Sequence, residues 1–172
     1  SSPPFSRLHT GRLVLSTENG WGGADEWDDD DGDGALDGSL FLLHRGADGL
    51  APEVELFLPE QLVLRALGPG ADPDGGGVDI DAFTQDLFGN VFLSFRSTEW
   101  VHGVALEDEG VVCLPAGAML YDNNYDIVEV DEGCAVIVLD RARVDQMVAQ
   151  VGLVTPAGSA ITALGDLQAL EL

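Results

Sequence analysis

The sequence predicts a mainly β protein of antiparallel strands carrying one short helix, and three observations point that way. Apolar or alternating segments recur at strand length and are punctuated by Gly, Asp or Pro. A pattern of strand, acidic stretch, Gly and second strand occurs twice. Only one stretch has clear helical periodicity.

The strand signals fall at Arg12–Thr17, Ser39–His44, Val54–Phe57, Val91–Arg96, Val111–Leu114, Ile127–Val130 and Ala135–Leu139. Gln61–Leu67 fits a strand or a helix equally well. The helix is expected at 140–151. Asp140 can accept hydrogen bonds as N-cap, Val144, Met147, Val148 and Val151 form an i, i+3, i+4, i+7 stripe, and Gly152 supplies the stop. That stripe, Met147 included, is expected to pack into the core.

The repetition is short and degenerate, with chance similarity between amphipathic strands as its alternative, and it suggests approximate boundaries. Gly11-Arg12-Leu13-Val14-Leu15-Ser16 returns as Gly89-Asn90-Val91-Phe92-Leu93-Ser94, and each copy leads through acidic residues to Gly38-Ser39-Leu40-Phe41-Leu42 or Gly110-Val111-Val112-Cys113-Leu114. Asp79-Ile80-Asp81-Ala82-Phe83 likewise matches Asp166-Leu167-Gln168-Ala169-Leu170. The expectation is a single β-rich domain over 1–172 built from units at approximately 11–78 and 79–160, each about 80 residues. The segment 161–172 is a possible closing strand. Such units are like the blades of a β-propeller, whose rings close by strand exchange and need roughly 4–8 blades. Two units require further chain or further copies; the alternative is a β-sandwich or barrel.

Composition bounds the function. At 45% hydrophobic content the chain has material for a real core. Its formal charge is −24, from 31 acidic residues against seven basic ones that are all Arg. That field argues against nucleic acid or an anionic membrane as partner. No apolar run reaches the roughly 18 residues of a membrane helix. The start, Ser1-Ser2-Pro3-Pro4, reads as a processed or trimmed terminus, and a secreted, periplasmic or cell-surface setting is expected. There Cys113 and Cys134, each in a strand-like stretch, could pair and close a loop worth about 3 kcal/mol. The alternative is two buried free thiols.

The most informative stretch is Asp28-Asp29-Asp30-Asp31-Gly32-Asp33-Gly34-Ala35-Leu36-Asp37-Gly38. Counting from Asp29, carboxylates at Asp29, Asp31, Asp33 and Asp37 alternate on a chain that Gly34 lets turn sharply, and Ala35 offers its carbonyl. Ca²⁺ wants six to eight such oxygens, and it would neutralise aspartates that otherwise repel one another. An EF-hand would place Glu where Leu40 stands, and no helix flanks the loop. The pattern resembles the calcium loops of FG-GAP (integrin-type) β-propeller repeats, in which Asp-x-Asp-x-Asp-Gly-x-x-Asp joins two strands. The resemblance covers Asp29–Leu43, with Ser39–Leu43 as exit strand, and it implies bound Ca²⁺ and a propeller-like fold. The second unit has only Glu107-Asp108-Glu109-Gly110 in that place, and the FG and GAP signatures are missing. Asp122-x-Asn124-x-Asp126 is a second, weaker ligand pattern, with Ile127 where Gly is wanted, and Asp72-Pro73-Asp74-Gly75-Gly76-Gly77 reads as a flexible turn.

Catalytic motifs are lacking. His9, His44 and His102 are scattered, and no Ser sits in a nucleophile elbow. Trp21 and Trp27 flank the acidic loop, and Trp100 follows the matching strand of the second unit, so all three are possible ligand contacts. The expected role is a non-catalytic, calcium-stabilised structural or binding module, such as a subunit of a larger extracellular assembly with protein partners or self-association. A calcium-dependent lectin is the alternative, and a glycoside hydrolase a more distant one.

Overall fold

The computed structural model describes residues 13–15, 38–45, 52–108 and 110–162. Within them the protein is mainly β, with antiparallel sheets and two α-helices. The first sheet comprises β1 (Leu13–Leu15), β2 (Leu40–Arg45) and β3 (Pro52–Leu58) in sequence order. The second comprises β4 (Ile80–Gln85), β5 (Val91–Phe95), β8 (Val111–Leu114) and β11 (Val136–Leu139), again ordered as they occur along the chain. Two hairpins interrupt that meander: β6 (Glu99–Val101) with β7 (Val104–Leu106), and β9 (Met119–Tyr121) with β10 (Ile127–Val130).

Alternation decides which side chains enter the core. Leu40 and Leu42 of β2, Val91, Leu93 and Phe95 of β5, and Val112 and Leu114 of β8 are buried and belong to one contiguous apolar cluster fed by both sheets. Residues of opposite parity make the other face of the four-stranded sheet. There Thr84, Phe92, Cys113 and Val136 lie in register across β4, β5, β8 and β11, and none of them is fully buried.

The ambiguous stretch 61–67 is helical. Helix α1 spans Glu60–Leu67, and Val63, Ala66 and Leu67 form its buried stripe at i, i+3, i+4. Pro59 pre-sets the entry, and Gly68 at φ 88° ends the helix with its N–H on the Leu64 carbonyl. The next three carbonyls, left without helical partners, are taken by distant backbone donors. Gly133 N–H reaches Arg65, Ala135 N–H reaches Ala66 and His102 N–H reaches Leu67, each at 2.9 Å. Arg65 Nε also donates to the Val130 carbonyl at 2.9 Å. The C-terminus of α1 is therefore the hub onto which the β6–β7 turn and the β10–β11 turn are fastened.

The Glu60 carboxylate fixes the other end of α1. It is buried, its Oε1 accepts from Val78 N–H at 2.8 Å, and the Glu60 N–H donates to Ser39 Oγ at 3.0 Å. It is wedged between Gly38 and Gly77: a Cβ at Gly77 would collide with Glu60 Oε1, and one at Gly38 with Val78 O and the Glu60 side chain. Gly77 also has φ 77°, so both space and backbone require glycine there.

Helix α2 (Arg141–Val151) has the expected ends. Asp140 Oδ1 accepts from Arg143 N–H at 2.8 Å, and Gly152 adopts the left-handed conformation. Its packing differs from expectation. Val144 and Val148 are buried, but Met147 is 46% and Val151 70% exposed. Successive residues turn about 100° around a helix, so Met147 falls to one side of the Val144–Val148 row. Val151 lies in the last turn, so only one narrow row of the stripe is covered. None of these four residues joins the main core cluster.

Candidate functional site: an acidic cleft beside Trp100

The strand β6 is three residues long, and its alternation sends Glu99 and Val101 inward and Trp100 outward. Glu99 is 5% exposed, while Trp100 keeps 38% of its surface in contact with solvent. Opposite them runs the loop 72–77. Asp72 takes φ 51°, its Oδ1 accepts from Gly76 N–H at 2.9 Å, and Gly75 and Gly77 supply positive φ on the way to β4. Between loop and strand lies a cleft of about 250 Å³, formed by Asp72, Asp74, Glu99 and Trp100 together with Pro73, Ser97, Thr98 and the glycines Gly76 and Gly77.

The electrostatics of this cleft are uneven. Burial pushes the Glu99 carboxyl up from 4.5 to about 7. The negative charges of Asp72 and Asp79 add to that shift, against the hydrogen bond from Ser97 Oγ (3.1 Å) and a backbone bond with Asp79. At neutral pH the cleft thus holds a carboxyl close to its midpoint, and any cation entering would draw it to the ionised form. An aromatic face next to carboxylates offers a positive group both a ring quadrupole and counter-charge.

The sequence-derived site residues are only partly in view. Of the possible ligand contacts, Trp100 lies in the cleft, whereas Trp21 and Trp27 lie outside the described residues, as do all five calcium ligands: Asp29, Asp31, Asp33, Ala35 and Asp37. The exit of that loop, Gly38–Ser39, is the point anchored by Glu60. Among the described residues no group of three or more His, Cys, Asp or Glu side chains is arranged to hold a metal. Asp122 instead closes the β9–β10 hairpin, its Oδ1 accepting from Asn124 N–H at 2.8 Å and Asp126 N–H at 3.0 Å. Cys113 in β8 and Cys134 ahead of β11 are both free thiols. Cys113 pairs opposite Val136, two residues beyond Cys134. Burial raises both thiol pKa values, with Asp86 adding to the shift at Cys113, and with Asp131 and Cys113 adding at Cys134 against an opposing backbone hydrogen bond.

His102 has a structural post. Its ring lies against Gly68 and Gly133, and Nε2 is 2.7 Å from the Ala135 carbonyl, so this nitrogen carries the proton. A second polar cluster braces the β4–β5 turn. The Asp86 carboxylate accepts from Phe88 N–H, Asn90 N–H and Asn90 Nδ2, and Asn90 Oδ1 accepts from Ala116 N–H. Burial works to raise the Asp86 pKa, but these bonds outweigh it and hold the carboxyl below its usual value. Tyr121 donates to the Gly89 carbonyl at 2.9 Å and accepts from Gln85 Nε2, and burial pushes its phenol up to about 12, with Asp86 adding to the shift and the Gln85 bond opposing it.

Glu99 was not singled out by the sequence, and Asp72 and Asp74 were read there only as parts of a flexible turn. The one signal was Glu-Trp-Val after Ser97-Thr98, a charged residue at the parity of a core Val, and a three-residue strand is too short to show which face is inward. No family model, no curated protein and no solved structure matches this chain. No helix among the described residues is long and apolar enough to cross a membrane.

Proposed function

We propose that the protein is a non-catalytic binding module, one part of a larger extracellular assembly, and that its cleft at Trp100 receives a cationic group. The observation that carries this reading is one cleft of about 250 Å³ lined by the part-exposed Trp100 and the buried Glu99 together with Asp72 and Asp74. A guanidinium or ammonium from a protein partner suits that combination, since it stacks on the ring and neutralises Glu99, Asp72 and Asp74. The charge of −24 steers such a partner towards the molecule. In this reading the Asp29–Asp37 loop binds Ca²⁺ as a stabiliser. The two sheets, each a meander in sequence order, are propeller-blade-like units in which β1, β2 and β3 match β5, β8 and β11. That match follows the repetition of Gly11–Ser16 in Gly89–Ser94. The single core shared by both sheets is equally compatible with the sandwich alternative.

The same Trp100 and its carboxylates favour a second reading, a carbohydrate site, because sugars also lie on indole faces and donate hydroxyls to carboxylates. Titration with propylguanidinium, propylurea and methyl glucoside, followed at the Trp100 indole by NMR, separates the two. The cationic reading expects a response to propylguanidinium alone, weakened in Glu99→Gln, which keeps the indole probe. Equal responses to the isosteric urea, or a response to the glucoside only, would contradict it.

A further inference from the structure

Strand β11 forms one edge of the four-stranded sheet, and among the described residues no strand pairs with its far side. Ala135-Val136-Ile137-Val138-Leu139 contains no charge, Pro or polar residue. Val136 is 52% and Val138 44% exposed, and Ile137 and Leu139 are half-buried. Edge strands are ordinarily guarded by charge, Pro or cover, because their free N–H and C=O groups template pairing with another chain. The opposite edge, β4, follows that rule with Asp81, Thr84 and Gln85. The sole device of this type on β11 is a register shift against β8 beyond Ile137.

The surroundings of β11 say what would pair there. Exposed acidic residues stand at both ends of the strand: Asp131 and Glu132 before it and Asp140 after it. A second copy would bring another −24 of charge to the same edge. A segment with basic ends gains attraction at both. The register also sets its side chains, because Phe92, Cys113 and Val136 form a half-exposed apolar row that ends at the strand edge. A residue placed opposite Val136 on an added strand extends that row.

We propose that β11 is the docking edge for an extended segment of a partner protein, alternately apolar and flanked by Lys or Arg, which adds to the sheet as a fifth strand. Backbone hydrogen bonds then supply affinity, and the row at Val136 and the flanking acids supply selectivity. This surface goes beyond the cleft reading and does not rest on it.

The test uses the whole chain and three synthetic peptides: Lys-Lys-Val-Thr-Val-Thr-Val-Lys-Lys, the same peptide with Glu for Lys, and the basic peptide N-methylated at alternate residues. Amide exchange of the protein is measured with each. The expected result is slowed exchange at 136–139 with the basic peptide alone, and affinity falling about ten-fold or more between roughly 50 and 300 mM salt. Val138→Lys, at a position 44% exposed, is expected to lose binding while its urea unfolding midpoint stays near that of the parent. The slowed exchange at 136–139 is expected to persist in Trp100→Ala, which keeps this test apart from that of the cleft. Equal binding of the N-methylated peptide, unchanged exchange at 136–139, or protection of that strand by self-association without peptide would overturn the proposal.

Discussion

Replacing Glu99 by Gln keeps the shape of the side chain and a carbonyl to accept from Ser97 Oγ, but removes the titrating proton. The folded protein holds this carboxyl at about 7 against an ordinary 4.5, mainly through burial. The fold therefore favours the protonated form. Its contribution is fully present below about pH 4.5, is lost as pH rises towards 7, and is gone above that. At about 1.4 kcal/mol per ten-fold change in proton binding, the full excursion is about 3 kcal/mol. Solvent at the cleft mouth lowers this to about 2 kcal/mol. Glu99→Gln should then match the parent near pH 4.5 and exceed it in stability by about 2 kcal/mol at pH 8. Urea unfolding at intervals between those values gives both curves. The whole chain also loses stability as its 31 acids ionise, so the difference between the two proteins is the quantity to read. A difference that stays constant from pH 4.5 to 8 would refute the assignment of a raised Glu99.

Three further outcomes follow from named contacts. Gly77→Ala combines a left-handed backbone with a collision at Glu60 Oε1 and should cost about 2–4 kcal/mol in denaturant unfolding, whereas Gly76→Ala, with open space around it, should cost under about 1 kcal/mol. Calorimetry with Ca²⁺ should give heat, and the melting temperature should fall with chelator, with both effects lost in Asp31→Ala; no heat and no melting shift would dispose of the calcium loop. Cys113 and Cys134, free thiols in the structure, should both alkylate under denaturing conditions before any reduction; protection of the pair until reductant is added would establish a disulfide.

Periodicity made most of the strands legible. Alternation placed β2, β5, β8 and β10 within a residue or two, because each has one face in a common core. Asp140 and Gly152 fixed both ends of α2, yet the stripe between them could not reveal that only Val144 and Val148 would be covered. That depends on what lies across from the helix, which is a tertiary matter. The segment 61–67 stayed open because Leu62, Val63, Leu64, Ala66 and Leu67 form a short apolar run that suits either element; its helix is settled by Gly133, Ala135 and His102 donating to its last carbonyls. The hairpin β6–β7 and the strand β9 escaped notice because three residues carry almost no periodic signal. For the same reason Glu99 looked like any surface acid. Its depth comes from the 72–77 loop, joined to it only by folding. Trp100 was visible as an aromatic without a clear place, and the cleft gives it one.

The most direct test of the cation-binding cleft is the titration of Glu99 itself, followed by the ¹³C shift of its side-chain carboxyl with and without saturating propylguanidinium. Without the probe the midpoint should lie at about 7. With it the midpoint should fall by one unit or more, and affinity should weaken about five- to ten-fold between pH 8 and pH 6 as Glu99 takes up its proton. A midpoint that stays in place while the probe binds would contradict the account, because a cation held in this cleft must favour the ionised carboxylate.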